Sequence, residues 1–362
     1  MKIGIPKEIK NNEHRVGLTP ESVKKLTEKN NDVFVETDAG SEIGFSDADY
    51  QSAGATILDS ASKVYSEAEL IVKVKEPMLE EFQYLSSQHT LFTYFHLAGN
   101  KEQAKELVKT GITAIAYETV TAEDGTLPLL APMSAIAGQI GFVVGSYFLL
   151  KPNKGIGVLL DSIGDIEPRV VTVIGAGVAG TEAIKKAVAS GAHVKIIDLS
   201  EDKLQQLKQT FGAEKIEYII STPETIAEAL VLSDLVIGSV YVIGKEAPKV
   251  ITKDMISKMK PGSVIVDIAI DQGGCIETSK PTTHDDPVFI HDHVIHYCVT
   301  NMPGAVPLTA TLALNKATMP FIEILAKEGI TKALESDQHL ANGLNIKDGE
   351  IVHSAIKEAL ED

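Results

Sequence analysis

Val170–Ser200, VVTVIGAGVAGTEAIKKAVASGAHVKIIDLS, decides how this 362-residue chain is read. Val170–Ile174 is a run of mostly β-branched residues, the mark of a parallel strand buried on both faces. Gly175-Ala176-Gly177-Val178-Ala179-Gly180 follows as G-x-G-x-x-G. Ala183, Ile184, Ala187 and Val188 then recur at helical spacing, and His193–Ile197 is a second strand ending in Asp198. Gly175 permits a tight turn. Gly177 lets backbone approach a pyrophosphate seated on the helix N-terminus, and Gly180 lets that helix pack close to the strand. Asp198 stands about 20 residues beyond the first glycine, where a carboxylate accepts hydrogen bonds from an adenosine ribose and repels a 2′-phosphate. The stretch therefore predicts a dinucleotide site that favours NAD over NADP. Glycine triplets alone are weak signals; strand, glycines, helix, second strand and acid in register are far stronger.

The length suits two domains rather than one. An apolar fraction of 44% can fill real cores. The net charge of −17 argues against a nucleic-acid groove or an anionic membrane surface as partner. Cys275 and Cys298 make neither a disulfide framework nor a metal pattern, so no metal is expected and a reduced cytoplasm is the simplest setting. Met1–Ile5 enters a strand directly, without a signal-peptide pattern. No stretch reaches about 18 clean apolar residues, as a spanning helix needs.

The first domain alternates in the same way. Strands are expected at Lys2–Ile5, Asp32–Glu36, Ala55–Leu58, Leu70–Val74, Thr90–Phe95 and Thr113–Val120. Helices are expected from Pro20, behind the N-cap Thr19, and over Ser46–Ala53 and Lys101–Lys109. Arg15 lies in the loop after the first strand, and Lys75 and His96 stand just beyond later strand ends. Open α/β sheets bind ligands outside the carboxyl ends of their strands. Two cations there suit a small carboxylate, and a histidine suits proton transfer near neutral pH. Taken singly, each is more often a solvated surface residue.

Ala131–Leu150 reads as a long hinge helix smoothed by Gly138, Gly141 and Gly145, and 151–168 as a loop. Beyond Asp198 the pattern continues as a six-strand dinucleotide fold, with strands at Lys215–Ile220, Leu235–Val240, Ser263–Ile268 and Val294–Val299. Helices are expected over Lys203–Gln209, Pro223–Leu230 and Lys253–Met259. Asp271, before Gly273 and Gly274, is either an electrostatic or proton-transfer group or an Asx turn. From Ala305 the chain is mostly helical, with a loop at Gly343–Lys347 and a last amphipathic helix at Ile351–Leu360. The expected fold is α/β with two doubly wound domains. A Rossmann domain at 131–305, led by the hinge helix, interrupts a substrate domain made of 1–130 and 306–362.

The stretches IPKEIKNNEHRVGLTP at Ile5–Pro20, VKVKEP at Val72–Pro77 and FTYFHLA at Phe92–Ala98 resemble the alanine dehydrogenase / transhydrogenase family. TAIAYETV, LPLLAPMS, GAGVAG, KPGSVIVDIAIDQGG and NMPGAVP follow in the family's order, so the resemblance runs nearly end to end. It implies that Arg15 and Lys75 hold a keto acid, that His96 is the acid/base and that Asp271 is the second catalytic residue. It implies cofactor contacts at Ser134, the Gly175–Gly180 turn with Val178 and Ala179, Asp198, Lys203, Ser221, Val240 and Tyr241. Further contacts are implied at Ile268, Ala269, Ile270 and Asp271, and at Val299, Thr300, Asn301 and Met302. The implied activity is reversible NAD-dependent deamination of L-alanine to pyruvate and ammonium by a cytoplasmic homohexamer, with no nucleic-acid or membrane partner. The alternatives are a sister amino-acid dehydrogenase, a nucleotide-binding transhydrogenase-type subunit and a non-catalytic NAD sensor. A transhydrogenase-type subunit has no reason to keep Arg15, Lys75, His96 and Asp271 as a set. The chain departs from the family at Ala135 and Gln139, where an acid and a base are usual, and at Leu308, where a base is common. The loop 161–168 also lacks the family's usual GVPGV.

Overall fold

In the computed structural model, which describes residues 1–99, 101–242 and 246–361, the chain divides into two compact units, Met1–Met133 with Gly304–Asp362 and Ser134–Pro303. The first unit opens with six parallel strands: Lys2–Ile5 (β1), Asp32–Glu36 (β2), Thr56–Leu58 (β3), Leu70–Val72 (β4), Thr90–Thr93 (β5) and Thr113–Ala116 (β6). They lie in the order β3-β2-β1-β4-β5-β6. The order reverses between β1 and β4, and ligands bind at such a switch point in open α/β sheets. Arg15 follows β1 and Lys75 follows β4, so these two residues flank it. Thr19 caps the helix Pro20–Thr27, accepting from the Ser22 N–H, as a hydroxyl before a first-turn proline should.

The second unit repeats the order. Val170–Ile174 (β7), His193–Asp198 (β8), Ile216–Ile220 (β9), Leu235–Gly238 (β10), Val264–Asp267 (β11), Val288–His291 (β12) and Val294–Tyr297 (β13) lie as β12-β13-β11-β10-β7-β8-β9. The expected six-strand fold therefore gains a seventh strand. β12 pairs antiparallel with β13 at the sheet's edge, where only three apolar residues, Val288, Phe289 and Ile290, follow Pro287, too short a run to stand out. The switch point falls between β7 and β10, with the glycine turn beyond one and Val240 and Tyr241 beyond the other. Ile174, Ile197, Val236 and Ile265 join Leu230, Ile251 and Ile256 in this unit's core. Among the described residues no helix is long and apolar enough to cross a membrane.

Other expected boundaries move for identifiable reasons. Gly343–Lys347, read as a loop, contains the strand Leu344–Lys347 (β14), antiparallel to β6 and followed by Glu350–Ile351 (β15). Asn345 conceals this strand in the sequence. It is a buried polar residue whose amide donates to Thr119 Oγ1 at 2.8 Å and to the Gly343 carbonyl at 2.9 Å. The last helix accordingly starts at Ser354, and a helix at Ala61–Glu67 has no counterpart in the reading of the sequence. The strand expected over Thr113–Val120 ends at Ala116 and turns into a short 3₁₀ helix, Tyr117–Thr119. The strands expected to reach Phe95 and Val240 end at Thr93 and Gly238, and the helix expected to reach Met259 ends at Ile256.

The strand expected to run to Val74 ends at Val72, because Lys73 turns into a buried charge cluster. Its ammonium lies 3.2 Å from Glu8 Oε2 and 2.9 Å from Glu81 Oε1, all three side chains being essentially inaccessible. Burial opposes the charge on Lys73, but the two carboxylates prevail and its pKa lies above the ordinary lysine value. Glu8 is pushed above the ordinary carboxylate value by burial, with Lys73 pulling it back. Lys73→Met should leave two carboxylates facing each other without a counter-charge. We expect it to destabilise the protein by about 3–5 kcal/mol in equilibrium urea unfolding. A loss below about 1 kcal/mol would mean that water reaches the cluster.

Candidate active site

Three residue types expected to act on a carboxylate substrate gather on the first unit, each with a buried carboxylate at its back. Arg15 donates from Nε to Glu13 Oε1 at 2.7 Å and from Nη2 to Glu13 Oε2 at 2.5 Å, while Nη1 lies 3.2 Å from Met133 Sδ. Both members of this pair are buried. Burial works against the guanidinium charge and Glu13 more than restores it, so the Arg15 pKa rises. One edge of the guanidinium is thus committed to Glu13.

Lys75 is fixed through its backbone. Its N–H and that of Val74 donate to Glu8 Oε1 at 3.2 and 2.6 Å, and its carbonyl accepts from Thr93 Oγ1 at 2.9 Å. Its ammonium lies 3.6 Å from Glu76 Oε2, and Lys10 bonds Glu76 Oε1 at 2.5 Å. Burial alone would raise the Glu76 pKa, but Lys75, Lys10 and His96 hold it down to about 2. His96 therefore shares this charged neighbourhood. Its ring stacks on Tyr94 with centroids 5.8 Å apart, and Tyr94 donates to the Leu129 carbonyl at 2.5 Å. Arg15, Lys75 and His96 are held together around Glu8, Glu76 and Tyr94.

The nucleotide-type elements belong to the second unit. Gly175 has a left-handed φ of 90°, and a Cβ there would stand 2.8 Å from the Ser239 carbonyl. A Cβ on Gly180 would collide with the Gly175 carbonyl, whereas one on Gly177 would meet no atom within 4 Å. The first and third glycines thus serve the fold, and the second leaves the turn open to a ligand. Asp198 accepts from the Ala176 N–H at 2.6 Å and the Ser200 N–H at 2.9 Å, tying the end of β8 to the glycine turn. Ser221 donates its N–H to the Asp198 carbonyl at 2.9 Å, and Lys203 stands in the first turn of the helix Glu201–Phe211. Ser134 lies one turn before Gly138, whose bare Cα faces the Ala179 carbonyl.

Ile268–Gln272 is a short 3₁₀ helix after β11. Its cap is Asp267, which accepts from the Ala269, Cys275 and Ile276 N–H groups and from the Ser279 hydroxyl. Burial raises the Asp267 pKa, and those bonds oppose the rise. The Asx-type capping considered for Asp271 therefore falls to Asp267. Asp271 is exposed, and its carboxylate accepts from the Asn301 N–H at 3.2 Å, so the ends of β11 and β13 meet.

Comparison with known proteins matches residues 4–137 to the N-terminal domain and residues 141–354 to the C-terminal domain of alanine dehydrogenase/PNT. The chain belongs to the alanine dehydrogenase/PNT family. It is 50% identical over 359 residues to an alanine dehydrogenase of Halomonas elongata, covering 99% of this chain and 96% of that one. It is 49% identical over 362 residues to alanine dehydrogenase 2 of Staphylococcus aureus, covering 100% and 97%. A solved L-alanine dehydrogenase superposes with a TM-score of 0.95 at 47% identity, covering 100% of this chain and 99% of that one. A transhydrogenase structure from Sinorhizobium meliloti gives 0.81 at 27% identity, covering 98% and 100%.

Among residues of this alanine dehydrogenase/PNT chain that the reading of single residues passed over are Glu8, Glu13, Glu76 and Glu118. Each occurs inside or beside a family stretch, yet a lone glutamate ordinarily reads as a solvated surface group. Gln139, where a base is usual in the family, donates its amide to Glu182 Oε2 at 2.9 Å, so the site keeps a polar link without that charge. The glycine geometry gives a paired test. Gly180→Ala should cost roughly 2–3 kcal/mol or more by overpacking. Gly177→Ala should fold normally but bind NADH at least about tenfold more weakly, a change of ~1.4 kcal/mol. Urea unfolding and fluorescence titration measure the two quantities, and equal behaviour of the two variants would contradict the assignment.

Proposed function

We propose that this chain catalyses the reversible, NAD-dependent oxidative deamination of L-alanine. L-alanine, water and NAD yield pyruvate, ammonium, NADH and a proton. One observation carries the reading. Arg15, Lys75 and His96 stand past the carboxyl ends of β1, β4 and β5, in a chain about half identical over its length to proteins named alanine dehydrogenase. Arg15 and Lys75 hold the substrate carboxylate and polarise the keto acid's carbonyl, which suits cations fixed in advance. His96 moves the proton between the amine and water, the work for which an imidazole is suited near neutral pH. Asp271 orients water or ammonia and offsets positive charge at the substrate's imine carbon.

The open turn at Gly177 and the carboxylate of Asp198 fit a dinucleotide. We assign its binding to Gly175–Gly180, Asp198, Lys203, Ser221, Val240 and Tyr241, with Ser134, Ile268–Asp271 and Val299–Met302 around its reactive end. When bound, the cofactor supplies the hydride acceptor for the substrate Cα. NAD is assigned rather than NADP because Asp198 would repel a 2′-phosphate. The substrate role goes to the unit of Met1–Met133 with Gly304–Asp362 and the cofactor role to Ser134–Pro303. A cytoplasmic homohexamer acting on small molecules, without nucleic-acid or membrane partner, completes the proposal; the acidic balance of the chain supports the last part.

NADH formation across a panel of amino acids tests it. L-alanine should give the highest kcat/KM, and NADP should support it at least about tenfold less well than NAD, a gap of ~1.4 kcal/mol. Failure of L-alanine to reduce NAD, or equal use of both cofactors, would overturn the corresponding half.

A further inference from the structure

We propose that Glu118 is a positioning residue for His96, its carboxylate clamping the turn that carries the imidazole. The inference rests on the reading of His96 as the acid/base. His96 stands just past β5 in a left-handed conformation, with φ of 51°. For a residue with a Cβ such a conformation is strained and persists only where neighbours impose it. Glu118 imposes it. Its Oε1 accepts from the His96 N–H at 2.6 Å and from the Phe95 N–H at 3.1 Å, and Oε2 lies 3.3 Å from the latter. The Gly99 N–H donates to the His96 carbonyl at 3.0 Å, closing the turn. Hydrogen bonds to a charged acceptor are stronger than those to a neutral one, and two N–H groups donating to one carboxylate hold the turn against the strain.

Glu118 is itself rigidly placed. β6 lies beside β5, pairing Ala116 with Thr93, and the chain then turns through Tyr117–Thr119. Tyr117 is buried, donates to the Lys73 carbonyl at 3.1 Å and packs edge-on against Phe92 and Tyr94. Thr119 accepts from Asn345 of β14. Glu118 therefore acts on the histidine's backbone, while Tyr94 stacks on its ring and Glu76 lies within reach of its charge. Arg15 and Lys75 are held by other carboxylates, so loss of Glu118 should disturb proton transfer and spare carboxylate binding.

The test compares wild type, Glu118→Ala and Glu118→Gln by steady-state kinetics, NADH titration and hydrogen exchange at the His96 amide. Glu118→Ala should lower kcat by about tenfold or more, as a displaced catalytic group does. Its KM for pyruvate and its affinity for NADH should stay within about threefold, since each threefold is only ~0.65 kcal/mol. Exchange at the His96 amide should accelerate by at least about tenfold as its bond is lost. Glu118→Gln keeps an acceptor oxygen and should recover most of kcat. The inference is overturned if Glu118→Ala keeps kcat and amide protection, or if Glu118→Gln is as impaired as the alanine variant. Wild-type protein that makes no NADH from any amino acid would instead remove the functional reading, and the amide exchange would still decide the clamp.

Discussion

Burying charge at the edge of a sheet is the constraint on which the first unit depends. A guanidinium and two ammonium groups lie buried where an unpaired charge costs several kcal/mol, with a half-buried imidazole beside them. Each is matched to a glutamate: Glu13 for Arg15, Glu8 and Glu81 for Lys73, Glu76 for Lys75, and Glu118 for the turn of His96. The carboxylates keep the region foldable. They also hold these side chains or backbones in place, so that, on the proposed reading, a substrate carboxylate would meet groups that are already oriented. On the proposed reading, stability and binding are drawn from the same pairs.

The second unit solves a related problem with backbone. Asp267 at the end of β11 accepts from the segment that follows, three of the donors being N–H groups, while Lys249 bonds the carbonyls of Gly273 and Gly274. The loop is thereby fixed from both sides, leaving the exposed carboxylate of Asp271 beside Asn301. The glycine turn is similarly fixed, by Asp198 on one flank and by the Ser239 hydroxyl donating to the Gly175 carbonyl at 2.7 Å on the other. In both units the candidate site residues stand on short turns locked by carboxylates and hydroxyls placed a few residues or one strand away.

Most of the fold was legible in the sequence, because buried parallel strands announce themselves as apolar runs and helices by their caps. Val170–Ile174, the glycine turn and a second strand ending at Asp198 stand as read, and so do Thr19 and Pro20 at a helix start. Among the elements that escaped, two strands show why. β12 offers too short an apolar run, and β14 hides a buried Asn345 whose partners lie far along the chain. Strand ends were read too long at Lys73 and Tyr117, where apolar sequence continues but long-range bonds from Glu8, Glu81 and Lys73 turn the backbone. The candidate residues Arg15, Lys75 and His96 were visible by position. The carboxylates behind them were not, since nothing in a local window separates Glu13 or Glu118 from a solvated glutamate.

The claim that substrate-binding cations are set in place beforehand by buried carboxylates is most directly tested at Glu13. Glu13→Gln preserves shape and one acceptor oxygen but removes the charge that fixes the Arg15 fork. In folded protein its KM for pyruvate should rise by about tenfold or more, ~1.4 kcal/mol, with NADH affinity unchanged. An unaltered KM for pyruvate would show that Arg15 needs no such partner and would contradict the account.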